Sequence, residues 1–270
     1  MIIDKISNVN SNIYFGVNLK SPKLNYSNDD FFIKIKGYGR NEFWAEKVKA
    51  TADTAVNLIR KETSAENVLK YVTAGVRNAN MESSNVYKRE NTGVLRVNRD
   101  GWNSSRYTVL AYTPYYLDRY ATYSDRLHEV YWQPLKNPFT TKLGMTRPYN
   151  EFELQHSNPL YINNALNHIF KLSKKIFPKF IKQEITESDM PELNETIAEI
   201  RWVLAHSTPW KRGSDAISNV FMRAIYKPVG VKSYPVKKST SLDMEAYCTE
   251  LSEYKKNFVN YFEKPPEIVE

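Results

Sequence analysis

The sequence predicts a mainly α protein with one small β-hairpin, and three observations carry that prediction. Apolar residues recur at three- and four-residue steps through much of the chain, the spacing of one helical face. Two such stretches inside 196–235 are separated by a short polar loop with Pro209 near its start and Gly213 near its end. A single stretch, GVLRVNRDGWNSSRYTVLAY at 93–112, instead surrounds Asp100-Gly101, a pair suited to a hairpin turn.

In chain order, residues 1–40 are rich in Asn, Ser, Lys and Asp with short apolar runs at 12–15 and 31–35, and form an N-terminal arm with one or two short strands. Residues 41–270 form a single mainly helical domain. Phe43, Val48, Ala52, Ala55, Val56 and Ile59 place a helix over 42–60. Val68, Leu69, Val72 and Val76 place a second behind the cap Ser64. A polar loop over 78–92 leads to the hairpin, and Leu117, Tyr120, Leu127 and Val130 mark an aromatic-laden helix over 115–131. Residues 132–190 are the place of an insertion; 132–159, with several prolines and little periodicity, read as a long ordered loop. Leu166, Ile169, Phe170 and Ile176 define a helix over 160–177, stopped or kinked by Pro178. Pro191 suits an early position of the next helix. A last helix over 242–262 carries Met244, Tyr247, Leu251, Tyr254, Phe258 and Tyr261 on one face.

The best-specified element is the helical hairpin of 196–235. Ile197, Ile200, Val203 and Leu204 mark its first helix, and Pro209 ends it by forcing the preceding residue out of helical geometry. Ile217, Val220, Phe221, Ala224 and Ile225 mark the second, with Gly213 freeing the backbone and Ser214 as its N-cap. Unpaired N–H groups at a helix start favour an anion, and Lys211 and Arg212 add two positive charges beside them. The loop therefore suits a phosphate or carboxylate, with arginine able to grip two oxygens at once. A solvated charged loop is the alternative reading of the same residues.

The run Thr208-Pro209-Trp210-Lys211-Arg212-Gly213-Ser214-Asp215-Ala216 resembles the Fic core, His-Pro-Phe-x-[Asp/Glu]-Gly-Asn-Gly-Arg, set between two helices. Pro209 and Gly213 match, Trp210 stands for the Phe, Thr208 for the His, and Asp215-Ala216 for the Gly-Arg. Gly93-Val94-Leu95-Arg96 is similar to the Gly-x-x-Arg run of that family's upstream flap. The whole resembles the divergent edge of the Fic/Doc/AvrB (Fido) group. The resemblance implies a Fido-like helical bundle and a bacterial effector or toxin that binds a nucleotide or nucleotide-sugar, with or without Mg. It further implies transfer of a nucleotidyl, phosphoryl or glycosyl group to a hydroxyl of a target protein in a host or competitor cell. Arg212, Gly213, Ser214 and Arg96 then hold phosphates, and His206 or Asp215 activates the acceptor.

Composition leaves other classes without support. The net charge of +8 comes from Lys and Arg spread along the chain among acids, which assists approach to an anion but is no nucleic-acid motif. One cysteine, Cys248, excludes an internal disulfide, and His128, His156, His168 and His206 show no metal-ligand spacing. No apolar run is long enough to span a bilayer and no signal peptide is visible, so the expectation is a soluble protein delivered by a specialised bacterial system. Two further functions stay open on sequence: a non-catalytic effector docking through the Tyr- and Trp-rich surface, and a hydrolase or deamidase with Cys248 as nucleophile.

Overall fold

The computed structural model describes residues 24–32, 41–83, 90–96, 106–108, 143, 145–150, 153–181, 185–238 and 240–269. Among these the protein is mainly helical, as the apolar spacing predicts. Helices α1 (Glu42–Arg60) and α2 (Ala65–Ser83) form an antiparallel pair on the central helix α5 (Ser214–Tyr226). Helix α4 (Met190–Ser207) lies against α5, and α3 (Ile162–Ile181), α6 (Leu242–Cys248) and α7 (Leu251–Asn257) pack around α4.

Sequence dictates these helices through their stripes. Val48, Ala52, Ala55, Val56 and Ile59 of α1 are buried, whereas Phe43, expected on the same face, is exposed at the helix start. Asn41 caps α1, its side chain accepting from the Trp44 N–H at 2.9 Å. Ser64 does the same for Asn67 in α2, and α2 runs on to Ser83, further than its apolar pattern reaches. Every α5 residue from Ile217 to Tyr226 is buried, so α5 is covered on all sides rather than along one stripe.

Several local expectations are corrected. Pro178 lies inside α3, which continues to Ile181. The arm stretch around Phe31 forms a 3-10 turn over Asn28–Phe31, closed by Asp30 accepting from the Ser27 N–H and hydroxyl, and packs Tyr26 and Phe31 into the core. The helix expected over 242–262 breaks at Thr249 and Glu250, both extended. The cause is tertiary: the Thr249 carbonyl accepts from the indole N–H of buried Trp202 at 3.1 Å, and its hydroxyl donates back to the Glu245 carbonyl. The apolar face survives because Met244, Tyr247, Tyr254 and Phe258 remain buried on both sides of the break.

Of the hairpin expected over 93–112, residues 93–96 and 106–108 are among the described residues. Strand β1 (Arg106–Thr108) pairs antiparallel with β3 (Glu153–Gln155), which also pairs with β2 (Arg147–Asn150), giving the order β1-β3-β2. Residues 92–96 bridge to the α4–α5 loop. The stretch expected as a loop over 132–159 thus supplies two strands. The Asp100-Gly101 turn and the helix expected over 115–131 lie outside the described residues. Strands β4 (Val231–Lys232) and β5 (Glu267–Ile268) form a second, antiparallel pair.

Candidate functional site

The α4–α5 loop is built around two left-handed residues. Thr208, which follows α4, has φ 40°, an uncommon conformation for a β-branched side chain, and Gly213, which precedes α5, has φ 83°. Gly213 is therefore the N-cap, and Ser214, expected there, is the first helical residue. A Cβ at Gly213 would lie 2.9 Å from the Thr92 Cγ2, so Gly213→Ala combines backbone strain with a steric clash. We expect that change to destabilise by about 1–3 kcal/mol in urea unfolding.

The last carbonyls of α4 are satisfied one by one, which explains how a strained loop persists. The Leu204 oxygen accepts from the Thr208 N–H, and the Ala205 oxygen from the Thr208 and Tyr247 hydroxyls. The His206 oxygen accepts from Thr146 Oγ1 at 2.9 Å. The Ser207 oxygen accepts from Arg96 Nη2 at 2.7 Å and Ser157 Oγ at 3.0 Å. Arg96 Nε then donates to the Thr208 oxygen at 2.6 Å and Nη1 to the Ser157 oxygen at 2.9 Å. A guanidinium at the negative end of a helix is favourable twice over, by hydrogen bonding and by the dipole.

Backbone pairing brings the two predicted segments together. The Gly93 N–H donates to the Arg212 carbonyl at 3.1 Å, the Arg96 N–H to that of Pro209 at 2.9 Å, and the Lys211 N–H to that of Val94 at 2.8 Å. Asn80 of α2 holds the segment by donating to Thr92 Oγ1, and Trp210 is buried under it. On the outside of this brace Arg212 is exposed, and among the described residues no side chain caps the first turn of α5. Lys211, Gly213 and Ser214 are half-buried beside it.

The structure separates the remaining predicted residues by environment. Arg96 is brought to the loop, but its guanidinium is buried and engaged with backbone carbonyls, which corrects the expectation that it reaches outward to phosphate. His206 is also inside, corrected from an acceptor-facing base to a core residue. Its ring lies between Trp202 and Tyr247, with centroids 4.0 and 5.5 Å away, and its Nε2 meets the Ala246 carbonyl at 2.9 Å. Asp215 sits in the first turn of α5, part-exposed and paired with buried Arg201 at 2.6 Å. The same Arg201 nitrogen reaches Asp243 of α6 at 3.1 Å. Burial, then the neighbouring Asp215 charge, pushes the Asp243 carboxyl up to about 8. Cys248 ends α6 with its side chain packed on the core.

Two site residues lack any motif signal. Asp243 reads in sequence only as the acidic start of α6. His156 follows β3 and places Nδ1 3.3 Å from both Thr146 Oγ1 and Thr208 Oγ1, so it stands beside the left-handed residue that ends α4. Both hydroxyls donate to backbone carbonyls, so they present lone pairs to the ring and put its proton on Nδ1. Burial, then the Arg96 charge, lowers the His156 imidazole to about 3 and keeps it neutral. Burial likewise lowers His206 to about 4.

These two histidines make stability depend on pH. The unfolded chain protonates both near pH 6.5, whereas the folded chain holds them neutral to far lower pH. Their contribution is complete above pH 6.5 and is lost as pH falls towards 4, by up to about 1.4 kcal/mol per pH unit for each histidine. Asp243 opposes this, because its raised carboxyl binds a proton in the folded chain that the unfolded chain lacks below about pH 8. Urea midpoints at pH 5.5 and 4.5 are therefore expected to fall by less than the two histidines alone would give, and His206→Gln to flatten the fall. A pH slope that His206→Gln leaves unchanged contradicts the buried neutral state of His206.

Fold and site together define a helical protein that presents a basic loop and a helix start over a half-buried carboxylate pair. Residues 58–265, well over half the chain, match the AvrB/AvrC family of avirulence proteins. The chain belongs to that family, a family of bacterial effectors whose role implies interaction with a host target. No curated protein matches it. Among the described residues no helix is long and apolar enough to cross a membrane, and no group of three His, Cys, Asp or Glu is placed to hold a metal.

Proposed function

We propose that this effector binds the phosphates of a nucleotide or nucleotide-sugar at the first turn of α5 and transfers a nucleotidyl, phosphoryl or glycosyl group to a hydroxyl of a target protein. The observation that carries it is the brace between 92–96 and the α4–α5 loop, which holds the backbone of exposed Arg212 two residues before the first turn of α5, whose Ser214, Asp215 and Ala216 N–H groups meet no acceptor among the described residues. The likeness of 208–216 to the Fic core supports the same ligand class. Helix start, Arg212 and Lys211 meet the phosphate charge, with Mg as an accompanying counter-ion where the donor is a di- or triphosphate.

In the transfer, the acceptor oxygen bonds to the donated group while the bond to the leaving phosphate oxygen breaks. The electron pair stays on that phosphate, where Arg212 stabilises it, and the acceptor proton passes to the Asp215 carboxylate. The target is a protein of a host or competitor cell, reached through a specialised bacterial export route.

A thermal-shift panel of ATP, GTP, UTP, CTP and common nucleotide-sugars tests this. A ligand at a hundredfold excess over its dissociation constant stabilises the fold by about 2.7 kcal/mol. Absence of any shift across the panel sinks the reading. It would then favour a second one, a non-catalytic effector that docks on its target. The burial of His206 and the Thr208 substitution in the motif favour that second reading.

A further inference from the structure

Asp215 poses a problem for an anion at the first turn of α5, because its carboxylate stands on that turn and Asp243, bound to the same Arg201 nitrogen, adds a second. The answer lies beneath them. Arg201 enters from α4 with its side chain fully buried, and its Nη2 donates to Asp215 Oδ1 at 2.6 Å and to Asp243 Oδ1 at 3.1 Å. Its Nη1 also reaches the Asp215 backbone carbonyl at 3.3 Å, so the guanidinium is fixed to the helix start as well as to the side chain. Both carboxyl groups are bound to one nitrogen, which places them close enough to repel each other when both are ionised.

We infer that Arg201 is a positioning residue that joins Asp215 and Asp243 into one proton-sharing unit, leaving the first turn of α5 without net negative charge. The inference rests on the phosphate reading for its purpose, though not for its geometry. With one proton on the pair, the cation of Arg201 and the remaining carboxylate cancel. A phosphate then meets open N–H groups and Arg212 with no opposing charge.

The other groups around the unit fit this balance. Tyr254 of α7 is buried and donates to the Leu242 carbonyl, and burial holds its hydroxyl protonated. Arg223 of α5 is buried further along the helix and donates to Asn219 and the Tyr234 carbonyl, so it feels Asp215 and Arg201 only at a distance. Burial and Asp215 place the last proton of the pair near 8, on Asp243, while Arg201 opposes that rise. Above that pH the unit gains a negative charge.

The test is a carbon-detected titration of protein labelled at the aspartate carboxyls, from pH 4 to 10. One aspartate is expected to titrate near 8 in the unaltered chain. Asp215→Asn is expected to lower that midpoint by roughly a unit or more, and Arg201→Met to raise it by a similar amount. Arg201→Lys, which keeps a cation without the planar fork, covers the case in which the Met variant does not fold. If every aspartate titrates below about pH 5, a plain carboxylate range, the inference is overturned. The same holds if Arg201→Lys and Arg201→Met both leave the midpoints in place.

A second arm measures inorganic pyrophosphate binding at pH 6.5 and 9.5. A roughly tenfold weakening at the higher pH is expected in the unaltered protein and little change in Asp243→Asn. Pyrophosphate that fails to bind at either pH defeats the phosphate reading alone, because the titration stands without a ligand. Pyrophosphate that binds equally at both pH values defeats the inference.

Discussion

Replacing Arg96 with alanine is expected to lower the unfolding free energy by about 3–5 kcal/mol, the largest stability loss of any charged residue described above. The side chain is buried and supplies hydrogen bonds to the carbonyls of Ser157, Ser207 and Thr208. Removing it takes a donor from each of these oxygens and, among the described residues, leaves only the Ser207 oxygen a second one, Ser157 Oγ, at about 1–3 kcal/mol for each oxygen left unpaired before relaxation. Arg96→Lys keeps a charge near the end of α4 but not the fork, so it is expected to recover less than half the loss. Urea unfolding of the three proteins at pH 7 measures this directly. Equal stability of Arg96→Ala and the unaltered chain contradicts the clamp. The left-handed Thr208 gives a second readout, since loosening the clamp frees the loop and hydrogen exchange at Lys211 is expected to quicken.

Arg212→Ala carries the largest expected effect on function and almost none on stability. The residue is exposed and among the described residues its guanidinium meets no partner, so unfolding is expected to shift by less than about 0.5 kcal/mol. A charge-assisted pair with phosphate is worth about 1.5–3 kcal/mol, so affinity for a nucleotide ligand is expected to fall roughly 10- to 150-fold. Calorimetry with whichever ligand gives the thermal shift decides it. A variant that binds as tightly as the unaltered protein removes Arg212 from the site. The contrast with Arg96 is instructive, because the two arginines lie at the same loop and differ only in which way they face. One holds the loop and the other is held out by it.

The pH behaviour of the two buried histidines and the Gly213→Ala change extend the same picture to the fold. Each tests a feature that keeps the loop in one conformation. His206 fills the space between Trp202 and Tyr247, and Gly213 allows Thr92 to approach the helix start.

The amino-acid sequence alone determined helices α1, α2, α4 and α5 and the loop between α4 and α5, whereas the break between α6 and α7 is tertiary. Helical periodicity is a local property, and stripes such as Ile217, Val220, Phe221, Ala224 and Ile225 can be buried only by one face of a helix. Pro209 and Gly213 act through backbone sterics within a residue or two, so they too are legible in order along the chain. Arg212, Ser214 and Asp215 are legible as candidates for that reason: they flank a helix start that the sequence itself announces. Tertiary structure decided everything that depends on residues distant in sequence. Segment 92–96 pairs with a loop more than a hundred residues later, and that partner could not be read locally because hydrogen-bonding edges carry no address in the sequence. Arg96 and His206 turn inward because carbonyls at the end of α4 and rings of α4 and α6 surround them, and burial outweighs the charge or polarity that suggests an outward role. Asp243 and His156 enter the site only through folding, one by way of Arg201 and the other by way of Thr208. Local sterics write the elements into the chain, and long-range packing decides which of their side chains face outward at the loop.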